Sequence, residues 1–154
     1  MEVGDKVPEF ELADETGTTR SLSRLLAEGP VTLFFYPAAM TYGCTKESCH
    51  FRDLAQEFEA VGARRVGISG DTVAKQKQFS EKHAFDFPLL SDPDRKVADL
   101  FGVKRSLGLV PVKRATFVID TDRTVIGVIR SEVSMQKHAD RALDVLRARA
   151  ASRG

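Results

Sequence analysis

Apolar residues fall into two periods along the chain. Some form short continuous runs rich in β-formers: Val31-Thr32-Leu33-Phe34-Phe35-Tyr36, Arg65-Val66-Gly67-Ile68-Ser69, Phe87-Pro88-Leu89-Leu90 and Ala115 to Asp120. Runs apolar on successive positions predict strands covered on both faces, and the first is the expected central strand. Others recur at helical spacing. Phe51, Leu54, Ala55, Phe58 and Val61 make one stripe, predicting a single helix from about Thr41 that ends at Gly62. Ala139, Ala142, Leu143, Leu146 and Ala150 make another, predicting a helix from Met135.

Turn and cap residues supply the punctuation. Phe10 to Ala13 and Thr18 to Ser21 flank Asp14-Glu15-Thr16-Gly17 and read as a β-hairpin, followed by a short helix that Gly29-Pro30 stops. Asp71 is the expected cap of a helix running to His83. Asp92-Pro93 reads as an N-cap with proline at the first helical position, and Gly102 ends that helix. Thr121-Asp122-Arg123 joins Ala115–Asp120 to a hairpin partner, Thr124 to Ile129. Strands alternating with helices predict an α/β fold, a mixed central sheet flanked by helices with an N-terminal β-hairpin extension. A thioredoxin-like fold has this pattern. The 154 residues suit one domain, 1–154.

Composition removes several function classes. Lys and Arg number 23 against 22 Asp and Glu, so the basic excess of a nucleic-acid reader is missing. The most apolar stretch, Val31 to Met40, is half the length of a membrane span of about 20 residues. The opening residues carry Glu2, Asp5, Lys6 and Glu9 and no apolar run, which does not read as a secretory signal. The cytoplasm is therefore the expected compartment, where a cysteine pair is more often reactive than structural.

Both cysteines lie just after the central strand, in Pro37-Ala38-Ala39-Met40-Thr41-Tyr42-Gly43-Cys44-Thr45-Lys46-Glu47-Ser48-Cys49. Sites in open α/β sheets form beyond the carboxyl ends of strands. Cys44 also falls near a helix N-terminus, whose free N–H groups and dipole favour a thiolate. Blander readings stand beside this one. Cys44 fits a buried inert thiol, Cys49 a helix core residue, Thr41 a plain N-cap, Glu47 a first-turn acid and Arg114 a surface charge. Cys44, Cys49 and His50 have the wrong spacing for a zinc knuckle, and His83 and His138 have no adjacent ligand, so no metal is expected.

Pro37-xxx-Thr41-xx-Cys44 resembles the peroxiredoxin active-site pattern, and FFYPAAMTYGCTKESCHFRDL resembles the peroxiredoxin Q type, also called bacterioferritin comigratory protein. Gly4 to Phe10, Pro88 to Asp92, Phe101-Gly102-Val103 and Arg114 to Asp120 extend the likeness over nearly the whole chain. Tyr42 stands where this type usually has proline. The resemblance implies a thiol-dependent peroxidase acting on hydrogen peroxide and organic hydroperoxides, with no cofactor. Cys44 would be the peroxidatic nucleophile and Cys49 the resolving thiol of an intramolecular disulfide. Thr41 would bond the thiolate and the peroxide, and Arg114 would stabilise both. Backbone N–H groups near Gly43 and Cys44 would polarise the substrate, Pro37 would shield the pocket, and Glu47 would orient an arginine. Thioredoxin or a similar dithiol would supply electrons to a monomer. The rival activities are a thiol-disulfide oxidoreductase, which favours two intervening residues where this pair has four, and a redox-sensing binding protein, which would be oxidised without turnover.

Overall fold

The computed structural model describes residues 1–105 and 112–153. A hairpin of β1 (Glu11–Ala13) and β2 (Thr19–Ser21) leads into α1 (Leu22–Leu25), capped by Ser21. Then follow β3 (Val31–Phe35), α2 (Tyr42–Asp53), α3 (Ala55–Ala60), β4 (Arg64–Ser69), α4 (Val73–His83), β5 (Leu89–Ser91) and α5 (Lys96–Leu100). The chain closes with β6 (Ala115–Ile119), β7 (Val125–Arg130) and α6 (Gln136–Arg153).

The main sheet has the order β5-β4-β3-β6-β7. β3 pairs parallel with β4, and β4 with β5; β6 runs antiparallel to both β3 and β7. All five residues of β3 are buried, as its apolar run requires. Because side chains alternate, the strand feeds two cores. Val31, Leu33 and Phe35 join Leu22, Leu25, Val97 and Phe101 on the side of α1 and α5. Phe34 and Tyr36 join Cys44, Phe51, Phe58, Phe79 and the Ala139–Leu146 stripe on the side of α2, α4 and α6.

Three local expectations are corrected. The helix expected from Thr41 to Val61 breaks at Leu54, where φ is −96° and ψ is 21°. The Phe51 carbonyl, which would accept from Ala55 in a continuous helix, instead accepts from Arg65 Nη1 at 2.9 Å. Thr72, not Asp71, caps α4, its hydroxyl accepting from the Lys75 N–H at 3.2 Å. The helix after Asp92-Pro93 starts only at Lys96, although the Asp92 carboxylate still accepts from the N–H groups of Val97 (3.3 Å) and Ala98 (2.9 Å).

Candidate active site

Cys44 stands in the first turn of α2, directly beyond the carboxyl end of the central strand, and is fully buried. The connecting loop is held in place. Asp71 Oδ2 accepts from the Ala39 N–H at 2.7 Å and from Ser69 Oγ at 2.6 Å, tying the loop to the end of β4. Met40 sits in the left-handed region, with φ at 69°. That conformation is costly for a long side chain and persists only where its surroundings enforce it.

Thr41 is the N-cap residue by backbone, but its side chain caps nothing. Its hydroxyl donates to the Ala38 carbonyl at 2.8 Å, so the structure places it on the loop rather than on Cys44 Sγ. Pro37 is half-buried directly after the buried Tyr36. Tyr42 is 84% exposed, so its ring lies outside the buried pocket. Gly43 lets Arg114 come close: a Cβ there would meet Arg114 Nη2 at 3.3 Å and Met135 Sδ at 3.5 Å.

Arg114 enters from the position just before β6, the strand beside β3 in the sheet. Its Nη2 donates to Cys44 Sγ at 3.2 Å and its Nη1 to Glu47 Oε1 at 2.6 Å. Burial works against this cation, and the facing Glu47 and Cys44 overcome it, holding Arg114 above its ordinary value. The second guanidinium nitrogen is what lets one side chain serve both sulfur and carboxyl.

Glu47 lies three residues after Cys44 on the same helix face and is fully buried. Burial pushes its carboxyl up to about 8, with Arg114 pulling it back only part of the way. Behind it stands His138, from the first turn of α6, also fully buried, with Nδ1 3.5 Å from Glu47 Oε2. Sequence reasoning considered this residue only as a metal ligand and missed its place beside Glu47. The available signal was its place four residues before Ala142, on the apolar face of α6.

Cys49 shares α2 with Cys44 and is only half-buried; both thiols are free. Burial pushes the Cys49 thiol up, with Arg52 offsetting part of that. The two cysteines thus differ in chemistry. Cys44 has a guanidinium on its sulfur, whereas Cys49 is biased toward the inert thiol. Among the described residues, no group of three or more His, Cys, Asp or Glu side chains is placed to hold a metal.

A buried cysteine at a helix start, facing a fixed cation beyond the central strand of such a sheet, defines a thiol enzyme of thioredoxin-like fold. Residues 3–128 match the AhpC/TSA family, and the chain belongs to it. A Mycobacterium tuberculosis chain named as a peroxiredoxin is 65% identical over 150 residues, covering 96% of this chain and 97% of the relative. The chloroplastic peroxiredoxin Q of Populus jackii is 40% identical over 144 residues, 93% of this chain and 67% of the relative. The crystal structure of peroxidoxin BcpB from Mycobacterium tuberculosis superimposes with a TM-score of 0.93 at 65% identity, over 96% of this chain and 97% of that one. That of the Xanthomonas campestris bacterioferritin comigratory protein, described for its alkyl peroxide reduction activity, gives 0.84 at 32% identity, over 95% and 99%. The chain is a peroxiredoxin of the Q, or bacterioferritin comigratory, type: a thiol peroxidase with two cysteines, drawing on a thioredoxin-type reductant. No helix among the described residues is long and apolar enough to cross a membrane.

Proposed function

We propose that Cys44 is the peroxidatic residue and Cys49 the resolving one. The observation that carries this is the Arg114 Nη2 contact on Cys44 Sγ at 3.2 Å. The Cys44 thiolate attacks one peroxide oxygen and the O–O bond breaks. Water or an alcohol leaves after taking a proton, and the sulfur becomes a sulfenic acid. Arg114 stabilises the thiolate beforehand and the displaced oxygen afterwards. The backbone N–H groups of Gly43 and Cys44 point out of the helix start and polarise the incoming peroxide. Thr41, once its hydroxyl turns from the Ala38 carbonyl, bonds the peroxide; Pro37 limits water entry. Glu47 fixes the guanidinium in a plane that reaches the sulfur.

The Cys49 thiolate then attacks the Cys44 sulfenic sulfur. An S–S bond forms, the S–O bond breaks, and the hydroxyl leaves as water after taking up the proton that Cys49 released. Thioredoxin, or a comparable dithiol, reduces that disulfide by exchange. Hydrogen peroxide and organic hydroperoxides are both substrates, the Xanthomonas relative's alkyl peroxide activity supporting the second. We place the enzyme in the cytoplasm as a single-domain monomer that binds neither nucleic acid nor membrane.

The test is steady-state consumption of hydrogen peroxide and an alkyl hydroperoxide with thioredoxin and its reductase. Cys44→Ser should abolish turnover, because a hydroxyl is a far weaker nucleophile near neutral pH. Cys49→Ser should consume one equivalent and then stall as the sulfenic acid. Turnover retained by Cys44→Ser sinks the peroxidatic assignment; normal turnover by Cys49→Ser sinks the resolving one.

A further inference from the structure

The buried cluster behind Cys44 contains a contact that the chemistry above leaves unused. His138 Nε2 lies 2.8 Å from the Ser131 carbonyl, which can only accept, so that nitrogen carries a hydrogen. In the neutral ring Nδ1 is then an acceptor with one lone pair, within reach of the Thr116 hydroxyl at 2.8 Å. Nδ1 also faces Glu47 Oε2 at 3.5 Å, and Oε2 is buried without a hydrogen-bond partner. A carboxylate oxygen and a bare imidazole nitrogen repel at this separation. Buried polar atoms left so are costly, and one proton between them removes the conflict.

We propose that Glu47 Oε2 and His138 Nδ1 share one proton, the Thr116 hydroxyl hydrogen turning away from Nδ1, and that His138 is thereby a positioning residue for the Cys44 thiolate. With the proton in place, Glu47 meets Arg114 as a neutral acceptor, and the guanidinium charge is left to the sulfur. Without it, a full carboxylate competes with the thiolate for the same cation. The charged and titratable groups facing the pair are Arg114 before β6, Cys44 on α2 and Glu132 after β7. Glu132 is itself bonded to the Arg114 N–H at 3.1 Å and to Arg105 at 3.0 Å. Burial raises Glu47 and lowers His138, so both shifts put the proton on the carboxyl. The inference rests on Cys44 being the reactive thiol.

The experiment uses the reduced full chain and no peroxide, so it fails or succeeds separately from the peroxidase assignment. Carbon-13 resonances of the glutamate carboxyls and nitrogen-15 resonances of the three histidine rings are followed against pH. Cys44 alkylation by iodoacetamide is followed in parallel. Trypsin cuts after Lys46, which puts Cys44 and Cys49 on separate peptides. Glu47 should titrate close to 8 in the wild type, while His138 stays a neutral Nε2–H tautomer at neutral pH. In His138→Leu the carboxyl loses its acceptor but stays buried, so Glu47 should titrate below its wild-type midpoint yet above ordinary carboxylates, and Cys44 alkylation at neutral pH should fall severalfold. Should that variant not fold, Glu47→Gln carries the test. Its amide nitrogen donates to His138 Nδ1 and its oxygen accepts from Arg114, so alkylation should stay within about threefold of wild type. Glu47 titrating with ordinary carboxylates in the wild type overturns the proposal. So does an alkylation profile unmoved in His138→Leu, or a His138 that turns cationic at neutral pH in Glu47→Gln.

Discussion

Formation of the Cys44–Cys49 disulfide should unwind α2. The two residues are five apart on one helix, which gives a rise of about 7.5 Å and a rotation of about 140°. On a backbone cylinder of about 2.3 Å radius their Cα atoms are then about 8.7 Å apart. A disulfide spans roughly 4.4–6.8 Å, so at least about 2 Å must be closed by backbone movement. α2 runs unbroken from Tyr42 to Asp53 with both thiols free, so the bridge cannot form on the helix as it stands. About six ladder hydrogen bonds have their acceptor between Cys44 and Cys49, and at about 1 kcal/mol each their loss costs roughly 6 kcal/mol. In the reduced protein that cost corresponds to about four orders of magnitude of protection for amides that exchange only by this opening. Hydrogen exchange over residues 41–53 should therefore accelerate by a factor on the order of a thousand or more on oxidation. Mass-resolved exchange on both redox forms measures it. Equal protection in the two forms, alongside a mass-confirmed Cys44–Cys49 bridge within one chain, would refute the helix argument.

Arg114→Ala should slow Cys44 alkylation at neutral pH, since the guanidinium that contacts the sulfur is gone. Arg114→Lys should recover only part, keeping charge but losing the fork that serves sulfur and carboxyl together; an unchanged rate in Arg114→Ala contradicts the contact. The folded protein holds the Glu47 proton to about 8, against an ordinary 4.5, so it binds more protons than the unfolded chain between those limits. Stability from this group is thus lost as pH rises through that window, and Glu47→Gln should flatten the fall in urea midpoint there; parallel curves for the two proteins argue against it. Phe51→Ala should cost about 3–5 kcal/mol by urea unfolding, because Phe51 is fully buried and stacked on Phe34 at 4.1 Å; a loss under about 1 kcal/mol contradicts that packing.

Local patterns located most of this site because its main parts obey local rules. An uninterrupted β-forming run places β3 at the centre, and the helix opening after it puts Cys44 at a strand's carboxyl end. Glu47 follows from an i, i+3 spacing. The elements that escaped depend on partners distant in the chain. Nothing near Leu54 announces a break, because the group that takes the Phe51 carbonyl is Arg65, fourteen residues on. Asp71 and Thr72 are both competent caps; the choice turns on Asp71 being drawn to the Ala39 N–H, 32 residues back. His138 meets Glu47 and Thr116 only because α6 returns across β6 and β7 to lie against α2.

With the roles proposed for the two cysteines, the same helix must hold the thiolate and then let go of it, and the placement of Cys49 joins the two demands. While α2 is intact, burial keeps Cys49 a thiol, and a thiol does not attack a sulfenic acid. Unwinding brings Cys49 into water, where it deprotonates more readily, and shortens its path to Cys44 in the same motion. The resolving step is therefore withheld until the opening occurs, and the opening has defined edges. On the carboxyl side, Phe51 is pinned between Phe34 and Phe58, and the break at Leu54 already separates α3. On the amino side, the Arg114–Glu47 pair must part, which is cheaper for a carboxyl that already carries its proton than for a buried carboxylate. The turns between Thr41 and His50 are thus the segment that moves, with the Phe51 stack as the fixed end.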